Sequence, residues 1–556
     1  MPRSETIILV DTVDTHFEKH PDDLHAKDLR RLGADILAET NDEIQLRNAV
    51  VDKSERWPKR KALTPAAIAR ILLKTRILRA VNLCAESRKE AELDSSTEPV
   101  LALYDPEEGI YKIASREIER DILEIEANLD LNGQKQVLKI LLTMAPLAVR
   151  TGDPDLIPVN NGVFNYKTKE LLPFSPDFVF LAKSPVNYVP FPANPVIRNP
   201  DDGTDWDVES WMSDLSDDPE VVLLLWQILG ACIRPGVSWD KVALLYSTVG
   251  SNGKGTFCEL ARGLCGSGHA SLAIADFEKD FALEKLVSAT AVIADENNVG
   301  AHIDKSANFK AAATGDMLHV NRKYKIPITY RFRGFIIQCV NELPKVKDKS
   351  ESFNRRLLCV PFEKSFRGAE RKYIKHDYLH RKDILEYVLY KILHMDYDEL
   401  SEPEACKNLL HEYRTNNNPV LDFAEEMLPE LKWDFVPFTF LYDLFKAWFR
   451  QTNPSGIVVG YKTFLFGLLN ALAAENLGWY CQDKNQAVRP GNRMDAPEPL
   501  ILEYDLEDWK NPMYKGGNPD MICRPILKPN YRGILRGPSP SAFHAACADI
   551  PENPFT

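Results

Sequence analysis

A glycine-rich turn that carries a lysine lies near the middle of the chain, in the segment LLYSTVGSNGKGT from Leu244 to Thr256. The apolar run before the turn predicts a buried strand, and a helix is expected to open behind it. Glycines let backbone N–H groups converge on phosphate oxygens, and the start of the helix adds partial positive charge. The pattern therefore predicts a phosphate-binding loop in which Lys254 reaches the β and γ phosphates of a nucleotide.

This loop departs from the usual GxxxxGK[ST] pattern at two positions. Thr248 stands where the first glycine is expected, and Gly255 follows the lysine directly. The hydroxyl that binds magnesium must then come from Thr256 or from elsewhere in the chain. The residues expected to hold the nucleotide are Gly250, Ser251, Asn252, Gly253, Lys254, Gly255 and Thr256.

Two further apolar runs end in polar side chains. The run from Thr290 to Ala294 leads into Asp295 and Glu296, and the run FIIQCV leads into Asn341. We expect Asp295 to hold Mg²⁺, directly or through water, and Glu296 to orient and deprotonate the attacking water. Asn341 could contact both the γ phosphate and that water. Together with the loop, these residues predict ATP hydrolysis.

A pair of arginines follows in the segment FNRRL. Arg355 and Arg356 could line a basic channel, or one of them could cross a subunit boundary as an arginine finger, which would imply a ring. Residues 321–375 contain fifteen Lys and Arg against five Asp and Glu, whereas the whole chain has a formal charge of -13. This stretch could therefore form a local basic surface that binds nucleic-acid phosphates.

The order of these motifs, with the TGD segment from Thr314 to Asp316 and the basic NRKYK segment after it, resembles a superfamily 3 helicase. More narrowly, it resembles the C-terminal half of phage and plasmid primase-helicases related to the poxvirus enzyme. The resemblance covers Glu98 to Arg367 and extends weakly to about Glu507.

This resemblance implies a hexameric ring that hydrolyses ATP with Mg²⁺ at subunit interfaces and moves 3′ to 5′ on single-stranded DNA. It also implies that Lys323 and Lys325 belong to a hairpin that grips the DNA backbone, which gives affinity without sequence specificity. The expected partners are single-stranded and forked DNA and further copies of the chain. The expected setting is the replication of a phage, plasmid or other mobile element.

Longer family members carry a primase domain before the helicase, and fewer than 100 residues precede the shared region here. Asp11, Asp14 and His16, in VDTVDTH, are residue types of a primase metal centre, but room for the rest of that fold is missing. We therefore expect a separate primase or polymerase. The main alternative to a helicase is a replication initiator or assembly ATPase that melts or marks an origin. A metabolic P-loop kinase is disfavoured by the paired arginines and the basic segment.

These residues require a fold that brings strand ends together. We predict an α/β P-loop NTPase core of the AAA+ type with a parallel sheet, a mixed α+β accessory domain before it, and a mainly helical, winged-helix-like domain after it. The predicted bounds are an acidic N-terminal segment at 1–70, the accessory domain at 71–232, the helicase core at 233–378, the C-terminal domain at 379–524 and a flexible tail at 525–556. A helix is expected from Val221 until Gly230 ends it.

Composition is that of an ordinary globular protein, with 44% hydrophobic and 27% charged residues. The N-terminus lacks the layout of a signal peptide, and the longest apolar stretch, Val221 to Ile233, is too short to cross a bilayer. The ten cysteines include no CxxC pair, so their spacing supports neither a zinc site nor a disulfide framework. We expect a cytoplasmic protein, most simply in a bacterial host, without a membrane partner.

Overall fold

The computed structural model describes residues 5–93, 97–113, 115–295, 297, 302–303, 305–323, 327–346 and 351–538. It divides into two compact units, Met1–Leu409 and Leu410–Thr556. Among the helices of these described residues, none combines the length and apolar character of a transmembrane span.

The first part of the larger unit packs helices against a four-stranded sheet. Its elements are α1 Glu5–Lys19, α2 Leu29–Val50, α3 Pro65–Thr75, β1 Leu78–Asn82, α4 Arg88–Leu93, β2 Val100–Asp105, β3 Ile110–Lys112, α5 Ser115–Ile125, α6 Leu131–Met144 and β4 Leu147–Val149. The strand order is β3-β2-β1-β4, with β1 parallel to β4 and antiparallel to β2. Asp28 begins α2 by accepting a hydrogen bond from the backbone of Arg31. One apolar core includes residues from Val13 in α1 to Leu141 in α6, so the N-terminal helices pack with those that follow.

A second group of elements leads to the central sheet. These are β5 Leu156–Val159, β6 Gly162–Asn165, β7 Glu170–Leu172, β8 Ile197–Arg198, β9 Asp205–Trp206, α7 Val208–Ser213 and α8 Pro219–Ile233. Strands β5 to β7 form an antiparallel sheet, and β8 pairs with β9. The prediction that Gly230 ends a helix is wrong, because α8 continues to Ile233. A Cβ atom on Gly230 would collide with the Tyr397 hydroxyl, so this glycine serves close packing.

The central sheet is five-stranded and parallel, which confirms the predicted α/β character of the core. The elements of this region are β10 Val242–Tyr246, α9 Lys254–Cys265, β11 His269–Ala270, β12 Ala291–Ala294, β13 His302–Ile303, α10 Ala307–Thr314, β14 Met317–Val320, β15 Ile328–Arg331, β16 Phe335–Val340, β17 Lys345–Val346, α11 Glu351–Asn354, β18 Leu357–Pro361, α12 Lys372–His376 and α13 Lys382–Leu393. The strand order is β11-β12-β16-β10-β18, and every pair is parallel. Ligands of such sheets bind at the carboxyl ends of the strands, so β10, β12 and β16 direct the predicted residues to one edge.

Two short pairings lie beside this sheet. Strands β14 and β15 form an antiparallel hairpin, and β13 pairs in parallel with β17. Buried Leu318 and Val320 alternate with exposed Met317 and His319 on β14. The hairpin therefore has one face packed and one face open to solvent.

The smaller unit combines helices with a three-stranded antiparallel sheet. The helix α14 Glu404–Asn417 contains the boundary, and it is followed by α15 Pro419–Met427, β19 Phe435–Pro437, α16 Phe438–Thr452, α17 Tyr461–Ala474, β20 Trp479–Tyr480, α18 Leu500–Glu503, α19 Pro519–Ile522 and β21 Gly533–Arg536. The strand order is β19-β21-β20. Buried aromatic side chains, among them Trp433, Trp448 and Phe464, form its core.

The predicted loose tail from residue 525 is wrong over its described part. Strand β21 pairs with both β19 and β20, and Ile534 is fully buried. Proline-rich composition concealed this strand because its backbone partners, Phe435–Pro437 and Trp479–Tyr480, lie far before Gly533–Arg536 in the sequence, outside any local window. The rest of the tail, residues 539–556, lies outside the described residues.

Candidate nucleotide-binding site

The predicted phosphate loop connects β10 to α9, and its backbone conformation depends on glycine. Gly253 has a φ of 90°, and a Cβ atom there would lie 2.7 Å from Cδ2 of Leu215. Ser251 also has a positive φ, 56°, which is uncommon for a residue with a side chain. The backbone N–H of Phe366 donates to the oxygen of Ser251 at 2.7 Å and holds the loop to the segment after β18.

Lys254, the first residue of α9, lies beneath this loop and is only 6% exposed. Its Nζ atom donates to the backbone oxygens of Ser247 at 3.3 Å and Val340 at 3.4 Å. It also donates to Oδ1 of Asn341 at 3.0 Å. Burial lowers the pKa of Lys254 from its usual value. The structure thus brings together the loop lysine and the strand-end asparagine.

Asp295 follows β12 at the same edge of the sheet. Its Oδ1 atom lies 2.5 Å from Nη2 of Arg262, and the Nη1 atom of this arginine contacts Glu259 at 3.2 Å. Burial opposes the charge of Arg262, but the hydrogen bond and the charge of Asp295, together with Cys258 and Glu259, outweigh it and raise the pKa of the guanidinium. Asp295 is therefore placed where it was predicted and is held by a cation on α9. Its predicted neighbour Glu296 lies outside the described residues.

The donors near Asp295 are of two chemical kinds. The Sγ atoms of Cys258 and Cys339 are 3.4 Å apart, and both lie within 4.8 Å of a carboxylate oxygen of Asp295. Burial and their mutual contact hold the Cys258 thiol neutral by raising its pKa well above the usual value, with the contact the larger cause. The carboxylate of Asp295 and the hydroxyl of Thr256, in the first turn of α9, are the hard oxygen donors that Mg²⁺ prefers.

Asn297 is a functional residue that sequence reasoning missed. Its Nδ2 atom donates to Oε1 of Gln338 and to the backbone oxygen of Cys339, both at 3.0 Å. Its Oδ1 atom accepts from the backbone N–H of Ile274 at 3.0 Å. Asn297 thereby ties the end of β12 to β16 and fixes the position of Asp295. A polar residue directly after the acidic pair was the available signal.

The two arginines of the FNRRL segment have different surroundings. Arg355 is exposed, whereas Arg356 is partly buried. The guanidinium of Arg356 donates to the backbone oxygen of Ser352, and its own backbone oxygen accepts from Val242 at 2.7 Å. Arg356 therefore stabilises the turn that leads into β18, while Arg355 presents its charge outward.

The described part of the basic segment predicted to contact DNA, residues 321–323, directly follows β14 of the β14–β15 hairpin. Lys323 is exposed in this segment, and Lys325 lies outside the described residues. The base of the hairpin is held by Arg150, whose Nη2 atom donates to the backbone oxygens of Leu83 at 2.9 Å and Arg331 at 2.6 Å. The hairpin is thus attached to the layer that contains β1 and β4.

The TGD segment joins α10 to this hairpin. The hydroxyl of Thr314 donates to Oδ2 of Asp316 at 2.6 Å. Gly315 has a φ of 66° and ends α10, so the chain can turn directly into β14. The role of the segment in this structure is to start the hairpin.

A cavity of about 400 Å³ opens beside the phosphate loop. Ser251, Gly253 and Thr256 form its loop side, and its other walls include aromatic and apolar side chains, namely Trp206, Trp211, Phe366 and Ile374. This volume lies within the usual range for small-molecule sites. The sequence did not reveal this cavity, because its walls come from residues 205–214 and 366–376, on both sides of the predicted motifs.

Lys375 lines the same cavity and places a second cation at the start of α9. Its Nζ atom lies 3.5 Å from the position that a Cβ atom on Gly255 would occupy. This separation is that of an ordinary van der Waals contact. The Lys375 amine therefore lies beside the first turn of α9, next to the phosphate loop.

The parallel sheet, the phosphate loop after β10, the acid after β12 and the asparagine after the strand between them define a helicase-type P-loop NTPase. Three family profiles match separate stretches of the chain. They are described as D5 N terminal like, at residues 104–216, a family of unknown function (DUF5906), at 245–356, and Poxvirus D5 protein-like, at 415–509. The two D5 profiles support a D5-like superfamily 3 helicase, which confirms the resemblance seen in the motifs.

Likeness to solved structures is weaker. Two apo structures of the NrS-1 C terminal region are 13% and 14% identical to the chain, with TM-scores of 0.41 and 0.42. Each match covers 85% of this chain, and it covers 99% and 100% of the two NrS-1 chains. A JCV helicase structure is 15% identical to the chain, with a TM-score of 0.24. The match covers 39% of this chain and 60% of the JCV helicase chain. A comparison with curated proteins found no match. The family assignment rests on the profiles.

Proposed function

We propose that this protein is an ATP-dependent DNA helicase that works as a hexameric ring and moves 3′ to 5′ on single-stranded DNA. We place it in the replication of a phage, plasmid or other mobile element, in the cytoplasm of a bacterial host, with priming supplied by a separate primase or polymerase. The observation that carries the proposal is the bond between Lys254 Nζ and Asn341 Oδ1 at the carboxyl edge of the parallel sheet. A helicase-type NTPase needs a cation and a phosphate sensor at this position.

The residues of the site divide the work of hydrolysis. Lys254 neutralises charge on the β and γ phosphates, and Asn341 contacts the γ phosphate and orients the attacking water. Glu296 accepts a proton from that water. Asp295 and Thr256 would hold Mg²⁺, which supplies positive charge against the phosphates when it is bound. The cavity beside the loop takes the nucleoside.

The DNA-binding part of the proposal rests on the exposed Lys323 in the β14–β15 hairpin. In a ring, each copy would present Lys323 and Lys325 to the pore, where they contact backbone phosphates of single-stranded or forked DNA. The same ring would place Arg355 of one copy at the nucleotide of the next as an arginine finger. Its exposure supports this role, and the bonds of Arg356 to its own turn support a positioning role for that residue.

The smaller unit supports the alternative of an initiator or assembly ATPase. Its elements α15, β19, α16, α17 and β20, with β21 between β19 and β20 in the sheet, resemble those of a winged helix, and α18 and α19 separate β20 from β21 along the chain. In such domains the helix in the position of α17 enters the major groove. Lys462 and Phe466 are exposed on α17. A sequence-specific footprint made by this unit would favour origin recognition.

ATP hydrolysis by the wild type and by Lys254→Ala, each with and without single-stranded DNA, tests the proposal. We expect DNA to stimulate the wild type and Lys254→Ala to lose about 10²-fold or more in turnover. The exposed Lys135, on α6, provides the control variant Lys135→Ala, which should match the wild type. Hydrolysis that ignores DNA would contradict the helicase and favour the assembly ATPase. Unchanged turnover in Lys254→Ala would contradict the site itself. Partial duplexes with one overhang then test polarity.

A further inference from the structure

A second group of chemically active side chains lies in the N-terminal helices, outside the nucleotide-binding site. His16 lies in the last turn of α1, and His20 follows the end of this helix directly. The backbone N–H of His20 donates to the backbone oxygen of His16 at 2.8 Å, and Glu39 belongs to α2. The Nδ1 atom of His16 lies 2.9 Å from Oε1 of Glu39. The Nε2 atom of His20 lies 3.9 Å from the same oxygen. One atom from each of the three side chains falls within 4.8 Å of the others.

These distances allow one transition-metal ion to be shared by the three side chains. Zinc bonds of about 2.0–2.1 Å place neighbouring ligands of a tetrahedron about 3.3 Å apart. The observed separations of 2.9 Å and 3.9 Å lie on either side of that value. Two imidazoles and one carboxylate are ligands that zinc takes in three-ligand sites with an open fourth position.

A second carboxylate orients the first histidine. The Oδ2 atom of Asp23 lies 3.1 Å from Nε2 of His16, and Nη2 of Arg31 lies 3.4 Å from the other oxygen of Asp23. The His16 side chain is only 3% exposed. Metal-binding histidines commonly donate their second ring N–H to such a carboxylate, which fixes the ring and its tautomer. Asp23 therefore turns Nδ1 of His16 toward His20 and Glu39.

We propose that His16, His20 and Glu39 bind one zinc ion, with Asp23 as the residue that positions His16. The ion joins the end of α1 to α2, which otherwise meet through apolar side chains such as Val13 and Ile36. Glu39 also lines a cleft of about 690 Å³ between these helices, together with the acidic residues Asp11, Asp42 and Glu43. The negative charge of this cleft favours the approach of a cation to the open position.

A proton is the competing occupant. Carboxylates at both ring nitrogens of His16 can also be satisfied by an imidazolium, which donates from both nitrogens. The two occupants differ in their need for His20. Its side chain is 55% exposed, so its removal leaves the packed part of the cluster in place. Zinc binding depends on His20, whereas the charged His16 does not.

Metal binding to the full chain, stripped with a chelator, distinguishes these occupants. We expect isothermal titration with Zn²⁺ to show one tight equivalent in the wild type and in His25→Ala, whose histidine is exposed in the next turn of the chain. His20→Ala should keep its fold by circular dichroism and lose this equivalent. A wild type without tight binding, or a His20→Ala variant that binds as the wild type does, overturns the proposal.

Cobalt spectroscopy separates this site from the thiols near Asp295. Co²⁺ bound by His16, His20 and Glu39 should give no thiolate charge-transfer band, whereas binding by Cys258 and Cys339 would give one and would overturn the assignment. Asp23→Asn should weaken Zn²⁺ binding by roughly 10- to 100-fold, as outer carboxylates of metal-bound histidines do. Asp22→Asn changes the exposed neighbour and should bind as the wild type does. Equal affinity in the two variants would contradict the role of Asp23.

Discussion

The phosphate loop and the β14–β15 hairpin carry lysines in opposite environments. Lys254 is 6% exposed and donates to three oxygens of its own chain, whereas Lys323 is exposed in a turn. A buried ammonium with fixed partners is already oriented for one ligand of fixed shape, and the low dielectric around it strengthens each contact. An exposed ammonium meets any phosphate backbone, and salt screens it. In the proposed function, the buried Lys254 therefore acts in ATP hydrolysis, and the exposed Lys323 contacts DNA.

Arg355 differs from Lys254 because it is exposed and yet has a catalytic role in the proposed function. Arg355→Ala should lower kcat for ATP by about 10³-fold with little loss of stability, since a finger acts on transition-state charge. Arg356→Ala is the matched control. It should lower the melting temperature, because its guanidinium holds its own turn through Ser352.

Mixing two inactive variants tests whether the finger acts between copies. Lys254→Ala keeps Arg355, and Arg355→Ala keeps the phosphate loop, so mixed rings should contain some complete sites. ATP turnover of the mixture should exceed that of either variant alone. A mixture as inactive as its parts would argue that Arg355 serves its own subunit or none.

Asn341 is exposed and accepts a hydrogen bond from the buried Lys254. Asn341→Ala removes the side-chain oxygen that accepts from Lys254 and the group expected to orient water. We expect kcat to fall by roughly 10²-fold, as when one positioned hydrogen-bonding group is lost from an active site, with little change in KM for ATP. Steady-state kinetics measures both. A higher KM at unchanged kcat would show that the residue contributes only to ground-state binding.

Lys323 should give a smaller, salt-dependent effect. Lys323→Ala should weaken binding to single-stranded DNA and reduce the slope of log affinity against log salt by about 0.7 for each copy engaged. Fluorescence anisotropy at several salt concentrations measures this slope. Hydrolysis without DNA should be unchanged, and Lys135→Ala should keep the wild-type slope. If both variants shift the slope equally, the hairpin has no special role.

The smaller unit contains a buried carboxylate, that of Glu498. It is fully buried, and burial raises its pKa above the usual 4.5, although the backbone N–H of Lys432 partly compensates. Since the folded state binds this proton more tightly than the unfolded state, its stabilising contribution is present below about pH 4.5 and is lost as the pH rises through the folded pKa.

In Glu498→Gln the side chain does not ionise, so the loss of stability with rising pH is absent. Its free energy of unfolding relative to the wild type should therefore increase from about pH 4 to about pH 7. Hydrogen exchange in peptides that contain α18 measures it. Glu503→Gln, an exposed change in α18, should show no trend. A difference that stays constant with pH would contradict a raised pKa for Glu498.

Local patterns predicted the strands that carry chemistry. The runs before Ser247, Asp295 and Asn341 are apolar and bounded by turn residues, and they became β10, β12 and β16. Each of these polar residues follows its strand directly. Because the strands are parallel, their carboxyl ends bring these residues to one edge of the sheet. The fold class of the core and the bond between Lys254 and Asn341 followed from this arrangement.

Other features depend on partners far apart in sequence. Asn297 acts through Gln338, and Lys375 approaches Gly255 across more than a hundred residues. No local pattern marks such pairs. Adjacent Arg355 and Arg356 could not be told apart either, because only the turn at the start of β18 buries one and exposes the other. Packing against distant elements decides all of these cases.

Arg150 has a mechanical consequence for a motor of this kind. Its guanidinium joins the backbone of Leu83, beside β1, to the backbone of Arg331, at the foot of the hairpin. Arg331 reinforces this joint through an ion pair with Glu86 at 3.0 Å. In the proposed motor, a movement of the hairpin along DNA would therefore pull on the accessory layer through Arg150 and Arg331, and two layers of the protein would share the force.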